Sequence, residues 1–251
     1  MSATPLRVPV EGLAEGAATL PDDAARYVTR VHRLGPGARF VAFDPARAVE
    51  ADVEVVSSDR RATRVITGPL RPASVRATQG LTLVQAIGKG DKLDEVVRDA
   101  TELGATRVVP VLAARSIARP TDGDARSRRW RRIAIEAARQ SGRGDAPEIE
   151  VPTSVADAIG RFATGRGVVA VCLDPTSAVP LGRVLARLAA ADEAVVVVGP
   201  EGGLDDEELQ AADRAGVARV SLGAFVLRTE TVCAAVLGAI LVARGAGEGD
   251  R

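Results

Sequence analysis

Aromatic residues are almost absent from this chain: they make up 2 % of its 251 residues, with one tryptophan, one tyrosine and four phenylalanines. That is too few for the stacking platforms on which single-stranded bases are read. Histidine occurs once, as His32, and cysteine twice, as Cys172 and Cys233. Such scarcity argues against a protein-built zinc centre, and no metal is expected. Each cysteine lies inside an apolar run, which reads as core packing rather than as a disulfide. A reducing, cytoplasmic setting follows. No apolar run approaches the roughly 18–20 residues needed to cross a bilayer, so no membrane is expected as a partner. Met1 to Val10 lacks a basic stretch followed by an apolar one and is not read as a signal peptide. Lysine is scarce as well. Of 33 basic residues only Lys89 and Lys92 are lysines, a bias of the kind GC-rich coding produces. Net charge is zero. That excludes attraction of the whole molecule to a polyanion, but not a local basic face.

What is present is the composition of a globular protein, 46 % apolar and 26 % charged. The length suits one large domain or two ordinary ones. The first seventy residues carry short β-type runs at Arg39–Phe43, Asp52–Val56 and Thr63–Thr67. Turn residues such as Asp44-Pro45 and Ser57-Ser58-Asp59 separate them. This predicts a small antiparallel β domain over residues 1–70, with Gly68–Pro72 as the linker. From residue 73 to 245 strands and helices alternate. Strands are predicted at Leu81–Ile87, Arg107–Leu112, Val168–Leu173 and Ala194–Val198. Helices are predicted at Asp91–Leu103 and at about 126–141, 181–190, 205–215 and 229–244. Such alternation predicts an α/β domain with a parallel sheet, covered on both faces. Its ligands should sit at the carboxyl ends of the strands. Gly245 to Arg251 reads as a frayed tail.

Two strand-end loops stand out. Val195-Val-Val-Val-Gly-Pro-Glu-Gly-Gly203 runs from an apolar strand into a glycine turn, and Asp205 then caps a helix. Glycines allow positive φ and close ligand approach. The acids Asp206, Glu207 and Glu208 suit the helix dipole but make a poor phosphate site. The turn matches neither the dinucleotide nor the phosphate-loop pattern. From spacing alone a structural turn and a ligand loop stand level. The second loop is Val220-Ser-Leu-Gly-Ala-Phe-Val-Leu-Arg-Thr-Glu-Thr231. There a strand ends at Gly223, and Thr229 is the candidate cap of the last helix. In a parallel sheet both loops lie on one edge and can line one pocket. A third feature is Arg126 to Gly144, with seven arginines against one acid, Glu136. Such density suits phosphate contacts, although a charged run is more often a solvated face.

At these residues the chain resembles the ribosomal small subunit methyltransferase E family, within the SPOUT class of knotted methyltransferases. The matching pieces occur in family order. They are Lys89-Gly-Asp-Lys92 with Ala100-Thr-Glu-Leu-Gly104, Arg129-Trp-Arg-Arg-Ile133 with Glu136-Ala-Ala-Arg-Gln-Ser-Gly-Arg143, Gly199-Pro-Glu-Gly-Gly203, and Leu222-Gly223 with Leu227-Arg-Thr-Glu-Thr231. Tyr27-Val-Thr-Arg-Val-His-Arg-Leu34 is a weaker match. The resemblance implies a small PUA-like β-barrel domain that binds RNA, followed by a trefoil-knotted SPOUT methyltransferase domain with a parallel sheet, working as a homodimer. It implies S-adenosyl-L-methionine as cofactor. The holding residues would be Leu173, Asp174 and Pro175, then Gly199, Pro200, Glu201, Gly202 and Gly203, then Leu222, Gly223, Val226, Leu227, Arg228 and Thr231. The implied reaction is methylation of N3 of uridine 1498 in 16S ribosomal RNA, on the assembled small ribosomal subunit. Four positions depart from the family pattern: Tyr27, Arg139, Asp174 and Phe225.

Within that reading, Arg228 is the candidate catalytic residue that steadies a developing uracil anion. Glu201 and Glu230 are the candidate proton acceptors. RNA would be held by Arg30, Arg33, Arg128, Arg129, Arg131, Arg132 and Arg143. The competing readings are the same fold acting on another RNA such as transfer RNA, an RNA-binding module without turnover, and a doubly wound small-molecule enzyme.

Overall fold

The computed structural model describes residues 5–116 and 123–248. The chain divides into two compact units. One holds the residues up to Arg76 together with Ile135–Ala146, and the other holds Ala77–Ala134 and Pro147 onward. The sequence boundary at 70 to 73 falls a few residues short of this division, and the return at 135–146 was not anticipated.

The first unit is built on β1 (Arg7–Pro9), β2 (Gly16–Thr19), β3 (Arg39–Asp44), β4 (Val49–Ser58), β5 (Thr63–Thr67) and β6 (Arg71–Pro72). Their order is β1-β3-β4-β5-β2, with β6 beside β4. All pairs are antiparallel except β1 with β3. Along β4 and β5 buried and exposed residues mostly alternate, as a sheet with one covered face requires. Val8, Phe40, Ala42, Val53, Val55 and Val65 fill that face. Helix α1 (Asp22–Arg26) runs into a π-helical turn, Tyr27–Val31, and places Val28 in the same core. The expected linker is partly strand. Arg71 forms ion pairs with Asp52 at 2.9 Å and Glu50 at 3.3 Å, which hold β6 against β4. Pro72 ends the pairing, as proline does on a sheet edge.

The second unit contains β7 (Gly80–Ala86), α2 (Lys92–Glu102), β8 (Arg107–Leu112) and α3 (Gly123–Ser141), whose last turns count with the first unit. Then come β9 (Glu148–Ile149), β10 (Thr153–Ser154), α4 (Val155–Phe162), β11 (Val168–Leu173) and α5 (Leu185–Ala189). The chain closes with β12 (Glu193–Val198), α6 (Asp206–Arg214), β13 (Ala218–Val220) and α7 (Thr229–Glu248). The sheet order is β10-β8-β7-β12-β11-β13, with β9 beside β8, and every pair is parallel. Alternate residues of each strand feed two cores. Leu81, Leu83, Val196 and Val198 meet α2 and α7 through Val96, Val97, Val236 and Leu237. Val84, Ala86, Val195 and Val197 meet α4 and α6 through Val155, Ile159 and Ala212. Burial on both faces explains why β12 reads as an unbroken valine run. Both cysteines lie in these cores, and burial pushes each thiol up to about 12, so neither is a nucleophile at neutral pH.

Some local expectations change. The expected helix at 181–190 is a 3-10 turn, Leu181–Arg183, followed by α5, with Val184 at φ −116° between them. The strand expected to reach Gly223 stops at Val220; Ser221 then makes an isolated bridge to Pro180, and Gly223 turns the chain at φ +121°. Thr229 is the first residue of α7 rather than its cap. That helix does not fray at Gly245. Arg244 donates to the Gly80 carbonyl at 2.7 Å and docks its last turns, while residues 249–251 lie outside the described part. Asp205 caps α6 as expected. Its Oδ1 accepts from the Glu208 N–H at 2.9 Å and Glu208 returns a carboxylate to the Asp205 N–H, a reciprocal arrangement worth about 1 kcal/mol.

Candidate functional site

Register places the site. Leu173 pairs with both Val198 and Val220, so β11, β12 and β13 end level with one another. The loops that follow line one pocket: Leu173–Pro175, Val198–Glu201 with Gly203, and Val220–Gly223 with Phe225–Leu227. Thr229 and Val232 of α7 complete the wall. The glycines are needed there. A Cβ on Gly199 would lie 3.1 Å from the Leu204 backbone nitrogen and 3.2 Å from its Cγ. Gly203 turns the chain at φ +71°. No hydrogen bond to the backbone N–H of Leu222, Gly223, Val226 or Leu227 exists among the described residues. The pocket therefore offers apolar walls from Leu173, Val198, Val220 and Val232, with open backbone donors beside them.

Most residues assigned to the cofactor from sequence meet here. Three do not line the pocket. Gly202 faces Arg115, which donates to its carbonyl at 3.0 Å. Thr231 is exposed on α7. Arg228 is exposed, and its side chain has no hydrogen bond or ion pair among the described residues, although its charge acts on nearby Lys92. Asp174 lines the pocket, but its carboxylate is engaged in building the loop. It accepts from the Thr176 N–H at 2.8 Å and the Thr176 hydroxyl at 2.6 Å, and it pairs with Arg219 at 3.2 Å. Phe225 and Val226 are 84 % and 85 % exposed although both border the pocket. Sequence reasoning had not assigned Val198, Val220, Ser221, Thr229 or Val232 to the site, and had placed Phe225 only within the loop Leu222 to Arg228.

Glu201 and Glu230 converge on a residue that sequence reasoning quoted without giving it a role. The Lys92 ammonium lies 2.7 Å from Glu201 and 3.8 Å from Glu230. Lys92, and less strongly Glu201's own backbone N–H, hold the Glu201 carboxyl below its ordinary range. Glu201 in turn raises Lys92. Both stay charged around neutral pH, so Glu201 is a weak proton acceptor here. Glu230 is less tied: besides Lys92 it accepts from the Thr229 hydroxyl at 3.2 Å. The scarcity of lysine was the signal available in the sequence, since one of only two lies at this pocket.

The candidate RNA arginines separate. Arg128 and Arg132 are exposed on α3 and unpaired among the described residues. Arg129 is engaged with Asp91 and Asp94, and Arg131 donates to the Ile149 carbonyl at 3.1 Å. Arg143 is 5 % exposed and pairs with Asp145 at 2.7 Å. That corrects its assignment: it ties the chain after α3 and presents no cation to solvent. Arg33 is exposed at φ +54°. Arg30 lines a polar groove in the first unit with Arg26, Arg60 and Arg61. Tyr27 and Arg139, two of the departures from the family pattern, meet each other. The Arg139 guanidinium sits 4.3 Å from the Tyr27 ring centroid and donates to its hydroxyl.

A parallel sheet with a glycine-cradled pocket at its strand ends defines an α/β ligand-binding domain, and residues 76–241 match the RNA methyltransferase domain family. The chain belongs to the ribosomal RNA small subunit methyltransferase E family. It is 33 % identical over 238 residues to that enzyme from Mycobacterium bovis, covering 90 % of this chain and 86 % of the relative. It is 31 % identical over 230 residues to the one from Synechocystis, covering 90 % and 73 %. The crystal structure of the Neisseria gonorrhoeae enzyme bound to S-adenosyl methionine superposes with a TM-score of 0.85 at 27 % identity, covering 95 % of this chain and 98 % of that one. No helix among the described residues is long and apolar enough to cross a membrane. Among them there is also no group of three or more histidine, cysteine or acidic side chains placed to hold a metal ion.

Proposed function

We propose that this chain methylates N3 of uridine 1498 in 16S ribosomal RNA, on the assembled small subunit, with S-adenosylmethionine as methyl donor. The observation that carries the reading is the shared pocket of three strand-end loops with an unpaired arginine at its edge. The reading includes a PUA-like barrel in the first unit, a trefoil knot in the second, a homodimer and a cytoplasmic location.

The pocket residues fit the cofactor. Leu173, Val198, Val220 and Val232 suit a purine face, and the open N–H groups of Leu222 and Leu227 suit its ring nitrogens and carboxylate. Gly199 leaves room for close approach. When bound, S-adenosylmethionine supplies an electrophilic methyl group. The protein's own residues do the rest. Uracil N3 carries a proton and is normally paired or stacked, and extruding such a base costs a few kcal/mol. Arg128 and Arg132 hold phosphates and set register. Arg228 is the catalytic arginine: its planar fork takes one uracil carbonyl oxygen beside N3, leaving the N3 direction open, and stabilises the charge that develops as N3–H weakens. Glu230, free of a short ion pair, is the acceptor of the N3 proton. Glu201 keeps the loop shape through Lys92.

The test is to map the modified nucleotide after incubation with labelled S-adenosylmethionine. Small subunits, naked ribosomal RNA and transfer RNA are compared. A single N3-methyluridine in 16S RNA, made on small subunits and not on transfer RNA, is expected. Labelling of transfer RNA alone would replace the target, and cofactor binding without labelling would leave an RNA-binding module.

The α3 arginines give a separate expectation. The double variant Arg128→Ala, Arg132→Ala should weaken small-subunit binding and reduce the salt slope by about 1–2. An unchanged slope in a binding titration would return that helix to a solvated face.

A further inference from the structure

Two other elements of the second unit converge on one ammonium group of α2. Lys92 is the first residue of α2, and it follows the loop that leaves β7. Its Nζ lies 2.7 Å from Glu201, in the loop that leaves β12, and 3.8 Å from Glu230, in the first turn of α7. Gly88, on the exit from β7, leaves space beside the pair. A Cβ there would touch the Glu201 carboxylate at 3.5 Å and the Lys92 Cδ at 3.6 Å.

Lysine is a poor choice for the start of a helix. A cation in the first turn opposes the dipole, where an acid would be favoured. Its placement is therefore not explained by α2. It is explained by two carboxylates on two other elements, both bordering the pocket or beside it. Without a cation between them, Glu201 and Glu230 would repel each other across the pocket rim.

We infer that Lys92 is a positioning residue for the methyl-donor pocket, tying the Gly199–Gly203 loop to the start of α7 so that both walls stay closed. This rests on the reading that the pocket takes S-adenosylmethionine. Lys92 itself acts through Glu201 and Glu230 and is not a wall of the pocket. The raised Lys92 and lowered Glu201 keep the tie intact around neutral pH. The tie is partly exposed, with 35 % and 37 % of the two side chains open to solvent. It contributes little to global stability for that reason. Its effect is local: it joins the Gly199–Gly203 loop to the first turn of α7.

The experiment is a double-mutant cycle read by calorimetric titration of the full-length protein with S-adenosylmethionine, with melting temperature recorded in parallel. Lys92→Met and Glu201→Gln should each weaken binding about tenfold, the effect of losing one charge-assisted hydrogen bond. The double variant should bind no more weakly than either single variant, because both remove one tie. Lys92→Arg should bind within about threefold of the parent, since charge and reach are kept. Melting should move by only a few degrees in all four. Parent-like binding by Lys92→Met would overturn the inference, and so would a double variant weakened by about a hundredfold, the sum of independent effects. Failure of the parent protein itself to bind would overturn the cofactor reading instead, and the inference with it.

Discussion

Arg228→Ala should lower methylation of small subunits by about 10²–10³-fold while cofactor affinity stays within about twofold of the parent. The expectation comes from where Arg228 stands. It follows the last pocket-lining residue of the second loop, Leu227, and precedes α7, yet its own side chain is exposed and unpaired among the described residues. A guanidinium with no partner in the free enzyme is available for a group that arrives with substrate. Uracil presents a carbonyl oxygen beside N3, and a planar fork can meet it with two N–H groups from outside the methyl path, a directed contact that a point charge does not make. Arg228→Lys should therefore recover only part of the lost rate. The decisive comparison is turnover under single-turnover conditions against cofactor binding by titration. A variant that loses both equally would make Arg228 a cofactor residue, and one that loses neither would remove it from the mechanism.

The two loops show how far sequence reasoning reaches. The strands at 107–112 and 168–173 coincide with β8 and β11, because parallel strands packed on both faces leave an apolar run with few alternatives. From that, the idea that two strand-end loops share a pocket needed only the parallel arrangement. The third loop, Leu173–Pro175, was reached through family resemblance alone. Its aspartate builds the loop through Thr176 and Arg219, and Arg219 lies on β13. Nothing local in the sequence marks a contact made across a sheet. The same limit hid Lys92, whose partner Glu201 is 109 residues away. Short elements were missed for another reason: β9 and β10 are two residues each, too brief to show any period. Arg143 was misplaced because seven arginines in one stretch look alike until Asp145 buries one of them.

Gly199→Val should weaken S-adenosylmethionine binding by about 10–100-fold, while Gly202→Ala, three residues along the same loop, should stay within about threefold. The two glycines differ in what surrounds them. A Cβ on Gly199 would meet the Leu204 backbone nitrogen at 3.1 Å, Leu204 Cγ at 3.2 Å and the Gly203 carbonyl carbon at 3.3 Å. Two of these are main-chain atoms that cannot turn aside, and valine adds two methyl groups to the conflict. The loop must open, and with it the wall that Gly199, Pro200 and Glu201 form. Overpacking of this kind costs about 1–3 kcal/mol, which sets the range of affinity loss. On Gly202 the nearest atom would be the Arg115 Cβ at 3.4 Å, ordinary contact with a side chain on the surface. Gly202 also lies outside the pocket wall and has no positive φ. Titration of both variants, with melting curves as a check on folding, separates a binding cradle from a merely flexible turn. Equal losses in the two would mean that the loop as a whole, and not close approach at Gly199, sets the affinity, and parent-like binding by both would place the cofactor elsewhere.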